Sequence, residues 1–249
     1  MNETIKIQLN HRTIRKFKKE KVKEKDLKKM LMAANQAPSA NGLQRSSIIR
    51  ISDQKIKDKL ALIGGQDYMK DSTELLVFIA DLYRNARIGL EKGEEINLFN
   101  SIDLFFQAMA DSYLQAQNLV LAAESLGYGT NYFGNIFNNI DEVIKILNLP
   151  KLTFPVIALG LGLPDQNPQL KPRITIEKKV FENSYKIFDN YLDEFKNYDE
   201  LMQNYYDLRN PEKPMDAFTS QVINQAKKIP VKRKSILDSL KKQGFIFDE

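Results

Sequence analysis

The residues Leu75-Leu76-Val77-Phe78-Ile79-Ala80 are the longest strongly apolar run in the chain, and no polar residue interrupts them. Successive side chains of a strand point to opposite faces, so a strand with one wet face alternates. An unbroken run of this length reads as a strand covered on both faces, central in a sheet. It is far short of the roughly 20 apolar residues that a membrane span needs. The cover on both faces has to come from elsewhere in the chain.

Helical spacing supplies it. Glu3 to Leu9 sets Ile5 and Leu9 on one face of a short amphipathic helix, and Val22 to Gln36 repeats apolar residues at helical intervals with lysines and glutamates opposite. Pro38 ends that second helix, and Ser39-Ala40-Asn41-Gly42 is a turn of small residues whose backbone a flat ligand can approach closely. Ser47 to Ile51 reads as a strand, and Ser52-Asp53 as the cap of a helix running to about Ile63, broken by Gly64-Gly65-Gln66. From Asp103 to Leu126 the longest helical stretch carries Phe105, Phe106, Met109, Tyr113, Leu114, Leu119, Val120, Leu121 and Leu126 around most of its circumference. Such a helix is buried, either inside the fold or against a second subunit. Gly127 is its expected C-cap. A short strand leads to Gly134, a helix runs from Ile140 to Leu147, and Phe154 to Gly162 is a second buried strand. Beyond Phe188 the pattern is helical, with an aromatic stripe from Tyr191 to Tyr205 that reads as packing, then helices from about Asp216 to Lys228 and Ser235 to Gln243. The expected division is a core over 1–188 and a helical C-terminal extension over 189–249 that packs on it.

Composition narrows the chemistry. The 249 residues include no cysteine and one histidine, so thiolate nucleophiles, disulfides and histidine-rich metal sites are excluded. The polar N-terminus has no apolar signal core, and the reading is a cytoplasmic protein with no membrane partner. A net charge of +5 suits anionic small molecules. The only histidine lies in His11-Arg12-Thr13-Ile14-Arg15-Lys16-Phe17, where Ile14 and Phe17 can anchor in a core while Arg12, Thr13 and Arg15 face an anion. Arginine forks suit phosphate oxygens and the carbonyl edge of a heterocycle. Lys171-Pro172-Arg173 places two more cations on one face of a stiff turn. Gly160 and Gly162 form a G-x-G without the third glycine that a dinucleotide fingerprint requires. The basic group Lys227, Lys228, Lys232, Arg233 and Lys234 lacks the interleaved aromatics of a nucleic-acid surface and reads as a solvated face, not a nucleic-acid partner site.

In order along the chain stand H-R-T-I-R-K-F, A-P-S-A-N-G-L-Q, S-S-I-I-R-I, G-G-Q, A-A-E-S-L-G-Y-G, Y-F-G-N, N-N-I-D-E-V, N-P-Q-L-K-P-R and Y-D-E-x-x-x-x-Y-Y. This series resembles the FMN-dependent nitroreductase superfamily, in its oxygen-insensitive NADPH nitroreductase and flavin reductase branch. The resemblance implies an α+β fold, a central mixed or antiparallel sheet flanked by helices, assembled as an intertwined homodimer with FMN at the subunit interface. It implies that His11, Arg12, Thr13 and Arg15 line FMN and that Lys171 and Arg173 complete the clamp. Ser39 and Asn41 would reach the flavin of the other subunit, Gln66 would bond the polar edge of the ring, and Tyr132, Phe133, Gly134 and Asn135 would present backbone to one face. The implied activity is two-step hydride transfer from NADPH, or NADH, through FMN to a small-molecule acceptor such as a nitroaromatic, a quinone or free flavin. Reductive dehalogenation or flavin fragmentation on the same fold is the alternative within the superfamily, and a basic nucleic-acid-binding module the alternative outside it. Gly42 and Phe137 replace a bulky aromatic and an arginine common in relatives, which implies an altered acceptor pocket. Arg209 and Lys213 stand where relatives gather arginines around the coenzyme phosphate.

Overall fold

The computed structural model describes residues 1–228 and 230–246, without the side chains of Lys232 and Lys234. The chain divides into two compact units, one of residues 1–166 with 230–249 and one of residues 167–229.

The first unit is built on a four-stranded sheet in the order β1-β2-β4-β3. Its strands are β1 (Ser46–Ile51), β2 (Glu74–Asp81), β3 (Gly129–Phe133) and β4 (Thr153–Gly162). All pairings between them are antiparallel. The apolar run lies in β2, which is buried at every position and sits between β1 and β4. Its side chains divide by parity: Leu76, Phe78 and Ala80 join one apolar cluster, and Leu75, Val77 and Ile79 the other. Burying each large apolar side chain stabilises the fold by about 1.5–3 kcal/mol, so the two-sided strand is a main source of stability.

One face is covered by α2 (Glu24–Asn35) and α5 (Ile102–Ser125), the other by α3 (Gln54–Gly64) and α6 (Ile140–Ile146). Asp53 caps α3 by accepting from Lys55 N at 2.7 Å, and Gly65 closes it in the left-handed region at φ 61°. The short α1 (Glu3–Leu9) precedes the basic loop as expected. Tyr83–Glu91, for which the sequence pattern predicts no element, forms α4.

One expectation is narrowed and one corrected. Only one face of α5 is buried in this chain, and it is lined by small residues, Ala108, Ala116 and Ala123, beside Phe105 and Leu119. Phe106, Tyr113 and Leu114 are exposed by 62%, 44% and 45%, too much for residues of a core. The units also fall elsewhere than at 188/189. The last helix, α9 (Ile236–Lys242), belongs to the first unit because Leu240 and Phe245 enter its core, with the Phe245 ring 4.9 Å from that of Phe105. Gln243 fastens it, donating to Thr153 O at 2.8 Å and Pro150 O at 2.9 Å.

The second unit contains α7 (Tyr191–Gln203) and α8 (Phe218–Lys227). It has its own chain of ring contacts, Phe181 to Phe188 to Tyr191 to Phe195 to Phe218 to Tyr198. The aromatic stripe therefore packs, as expected. Asn190 caps α7 through Leu192 N at 3.0 Å.

Candidate active site

The basic loop 11–17 is laid against the sheet by its own backbone. Ile14 N donates to Thr130 O at 2.8 Å, Thr13 bridges to Thr130 in parallel fashion, and Phe17 bridges to Pro164. Ile14 and Phe17 are buried at 6% and 9% exposure, so the apolar pair anchors the loop as its spacing requires. The approach is possible because position 129 is glycine: a Cβ there would meet Ile14 at 2.5 Å. His11, Arg12, Thr13 and Arg15 are left half-buried, Arg12 beside a cavity that Glu124 and Tyr128 also line and Arg15 beside a second groove lined by Phe17 and Lys57. His11 Nδ1 lies 2.6 Å from Glu124 Oε1, and Arg12 Nη1 donates to Asn10 O at 3.0 Å.

Beyond β3 the chain enters a 3-10 segment, Gly134–Asn139. Phe133 is buried against the sheet and Tyr68, whereas Tyr132 is half-buried, with its phenol donating to Gln117 Oε1 at 3.3 Å. Burial, and after it the charge of Glu124, push the Tyr132 phenol above its ordinary value. Gly134 and Asn135 are held from the far end of the chain by Arg233. Its guanidinium donates to Gly134 O at 3.1 Å, Asn135 Oδ1 at 3.2 Å and Asn138 Oδ1 at 3.0 Å. Arg233 is therefore not part of a solvated basic face; the side chains of Lys232 and Lys234 from that group lie outside the described residues. Phe137 packs between both apolar clusters, 6.3 Å from Phe154, which makes it part of the support beneath the segment.

The small-residue turn is fixed from below. Asp111 of α5, only 2% exposed, accepts from Ala40 N at 2.8 Å and from Arg45 N at 2.9 Å. Asn41 takes φ 53° and Gly42 φ 70°, and a Cβ placed on Gly42 would meet nothing within 4 Å, so that position is open. Ser39 is half-buried and Asn41 exposed.

Lys171, Arg173, Arg209 and Lys213 belong to the second unit. There Pro172 O accepts from Tyr198 Oη at 3.1 Å, and Arg173 is exposed. Arg209 is engaged by the buried Asp207, which takes its Nε and Nη2 at 2.9 Å each. That fork-to-carboxylate pairing compensates the charge expected to meet a coenzyme phosphate. Lys213 is exposed.

The donor set fits a flavin nucleotide. Cations and a hydroxyl along 11–15 suit a phosphate and a polyol, and Gln66, expected at the edge of a heterocycle, is among the residues with a buried polar atom that lacks a partner. Gln66 donates to Tyr68 Oη at 2.5 Å, while its buried Oε1 has no hydrogen-bond partner among the described residues, and neither has Asn131 Nδ2 on β3. A buried carbonyl and a buried amide left unpaired are costly unless a ligand with an N–H and a carbonyl completes them. Sequence reasoning missed Asp111, Glu124 and Arg233. A lone acid on the core face of α5 was the visible signal for the first; the other two act through long-range pairing.

Sheet, loop and donor set together describe a flavoprotein oxidoreductase site. The chain belongs to the nitroreductase family: that family's model matches residues 9–163, and the model of its C-terminal domain matches residues 171–248. It is 34% identical over 248 residues to the FMN reductase (NADPH) of Bacillus subtilis, covering 98% of this chain and 99% of that one. It is 39% identical over 187 residues to the oxygen-insensitive NADPH nitroreductase of Salmonella typhimurium, covering 75% and 76%. Among solved structures, nitroreductase A from Vibrio parahaemolyticus superposes with a TM-score of 0.87 at 35% identity, covering 98% of each chain.

Proposed function

We infer that this protein is an FMN-dependent NAD(P)H oxidoreductase that reduces nitroaromatics, quinones or free flavin in two separate hydride-transfer half-reactions. The observation that carries the reading is the loop of residues 11–15 laid against β3, with Gln66 Oε1 and Asn131 Nδ2 buried and unpaired. FMN, when bound, supplies the carrier that takes up and passes on the hydride. The protein's own residues bind and orient. Arg12, Thr13 and His11 hold the phosphate and polyol, Arg15 and Gln66 hold the polar edge of the ring, and Tyr132 to Asn135 carry one face. Lys171 and Arg173 keep in this proposal the role that the resemblance gives them. Fixed cations and amides facing the edge where negative charge develops stabilise that charge without reorganising. Arg15 also borders a groove of about 570 Å³ lined by Lys18, Lys21, Lys57 and Lys70, whose positive field draws in an anionic coenzyme.

The active form in this reading is a cytoplasmic homodimer. No helix among the described residues is long and apolar enough to cross a membrane. Phe106, Tyr113 and Leu114 form an apolar stripe on α5 that a second copy would cover, bringing Ser39 and Asn41 to the flavin of the first. The test is direct. Purified protein loaded with FMN is assayed for oxidation of NADPH and NADH against a quinone and a nitrofuran. The expected result is bound flavin released on denaturation and acceptor-dependent oxidation with parallel initial-rate lines. Protein that binds no FMN and oxidises neither coenzyme would overturn the reading.

A further inference from the structure

His11 is the sole histidine of the chain, and one of its ring nitrogens is already committed. Nδ1 lies 2.6 Å from Glu124 Oε1, which also accepts from Thr130 Oγ1 at 2.9 Å. The Glu124 side chain is 13% exposed and that of His11 32%. A carboxylate only accepts, so Nδ1 carries the hydrogen whether the ring is neutral or protonated. No described residue hydrogen-bonds Nε2, which leaves it as the nitrogen available to a ligand. In the neutral ring Nε2 accepts from a hydroxyl; in the protonated ring it donates to a phosphate oxygen.

The place of Glu124 is unusual for a carboxylate. It lies in the last turn of α5, where the helix presents its unpaired carbonyls and the negative end of its dipole, and it is nearly buried there. Among the described residues, its carboxyl group is hydrogen-bonded with His11 and Thr130. A shielded carboxyl group whose hydrogen bonds run to His11 and Thr130 points to a task beyond packing.

We propose that Glu124 is a positioning residue for the cofactor site: it fixes the Nδ1–H form of His11 and so presents Nε2 to the polyol phosphate of a flavin nucleotide, without touching that ligand itself. The proposal rests on the FMN reading, but its first test does not. Because the chain has one histidine, histidine labelled with ¹⁵N gives a single pair of ring-nitrogen signals. At a pH where the ring is neutral, the cofactor-free parent should show the Nδ1–H tautomer. Glu124→Leu, which removes the acceptor, should pass to the Nε2–H tautomer that free imidazole side chains favour, and Glu124→Gln, whose carbonyl still accepts, should keep the parental pattern. A parental ring in the Nε2–H form overturns the proposal whatever the variants do.

The second test is FMN affinity. Glu124→Leu should weaken FMN on the order of tenfold, as should His11→Ala, and the double variant should be no weaker than either alone, because one interaction has been removed twice. Additive losses would mean that Glu124 acts on the site by a route other than His11, and would also overturn the proposal. Failure of the parent to bind FMN would defeat the functional reading while the tautomer result still decided the role of Glu124.

Discussion

Asp111 and Glu124 are two shielded carboxylates on one helix, about 20 Å apart along its axis at 1.5 Å per residue, and each holds a loop of the candidate site by different means. Asp111 grips backbone, taking the amides of Ala40 and Arg45. Glu124 grips side chains, His11 and Thr130. A grip on backbone sets the path of a loop whatever side chains it carries. A grip on side chains leaves the path to other contacts, here the Ile14 to Thr130 hydrogen bond, and sets how one ring is presented. The first clamp should therefore matter most for stability and the second for affinity.

The largest expected effect is that of Asp111→Ala. It strands one buried and one half-buried N–H donor at once, and each unsatisfied donor costs about 1–3 kcal/mol, so urea unfolding should show a loss of about 3 kcal/mol. A loss below about 1 kcal/mol would mean that water replaces the carboxylate and that the two clamps do not differ as described. Next in size is Phe106→Glu, which sets a charge in the exposed stripe of α5. Sedimentation should show the dimer dissociating at least tenfold more readily, with FMN occupancy falling alongside. An unchanged dimer would remove the stripe from the interface.

Arg233→Ala should have an intermediate effect, because it frees Gly134 O, Asn135 and Asn138 together. FMN affinity should drop by about 1–2 kcal/mol, against no change for Lys227→Ala, as read by flavin fluorescence quenching. Equal affinities in both variants would show that the segment keeps its shape unaided. The smallest effect is expected of Arg209→Ala. With its fork on Asp207, its removal should change the ratio of kcat/KM for NADPH over NADH by less than about threefold, or about 0.7 kcal/mol. A collapse of the preference would return the coenzyme phosphate to Arg209.

Most of the fold is legible in the sequence because its signals are local. The unbroken run of β2, the Asp53 cap and the Gly65 and Gly127 stops each act within a few residues of themselves. Helix α4 is not legible: its N-cap residue is Leu82, which offers no side-chain acceptor, it carries Arg84, Asn85 and Arg87, and it buries only Ala86 and Gly89. Gly89 is there for packing, since a Cβ would collide with the Phe99 ring. The large apolar residues of α5 mislead because they divide: Phe105, Leu119 and Val120 join the alanines on the buried face, while Phe106, Tyr113 and Leu114 point outward. In the site, the basic loop announces itself by charge density and by the Ile14 and Phe17 anchors. The partners that hold it do not. Glu124 stands inside a recognisable motif, but nothing local says that it reaches His11. Arg233 reads in sequence as one more basic surface position, whereas in the fold it lies on Gly134 and Asn138.

The central claim is that the loops clamped by Glu124 and by Asp111 serve different flavins, the 11–15 loop its own and the Ser39–Asn41 turn that of a second copy. Subunit complementation tests it. Arg15→Ala damages the loop and Asn41→Ala the turn, so each variant alone should form dimers that bind FMN poorly. In a purified mixed dimer of the two, one site receives both damaged elements and the other receives neither. The account predicts that this mixed dimer recovers about half of the parental FMN per dimer, with parental affinity at the recovered site. A mixed dimer that binds no better than its two parents would contradict it, because loop and turn would then belong to one and the same site within a single chain.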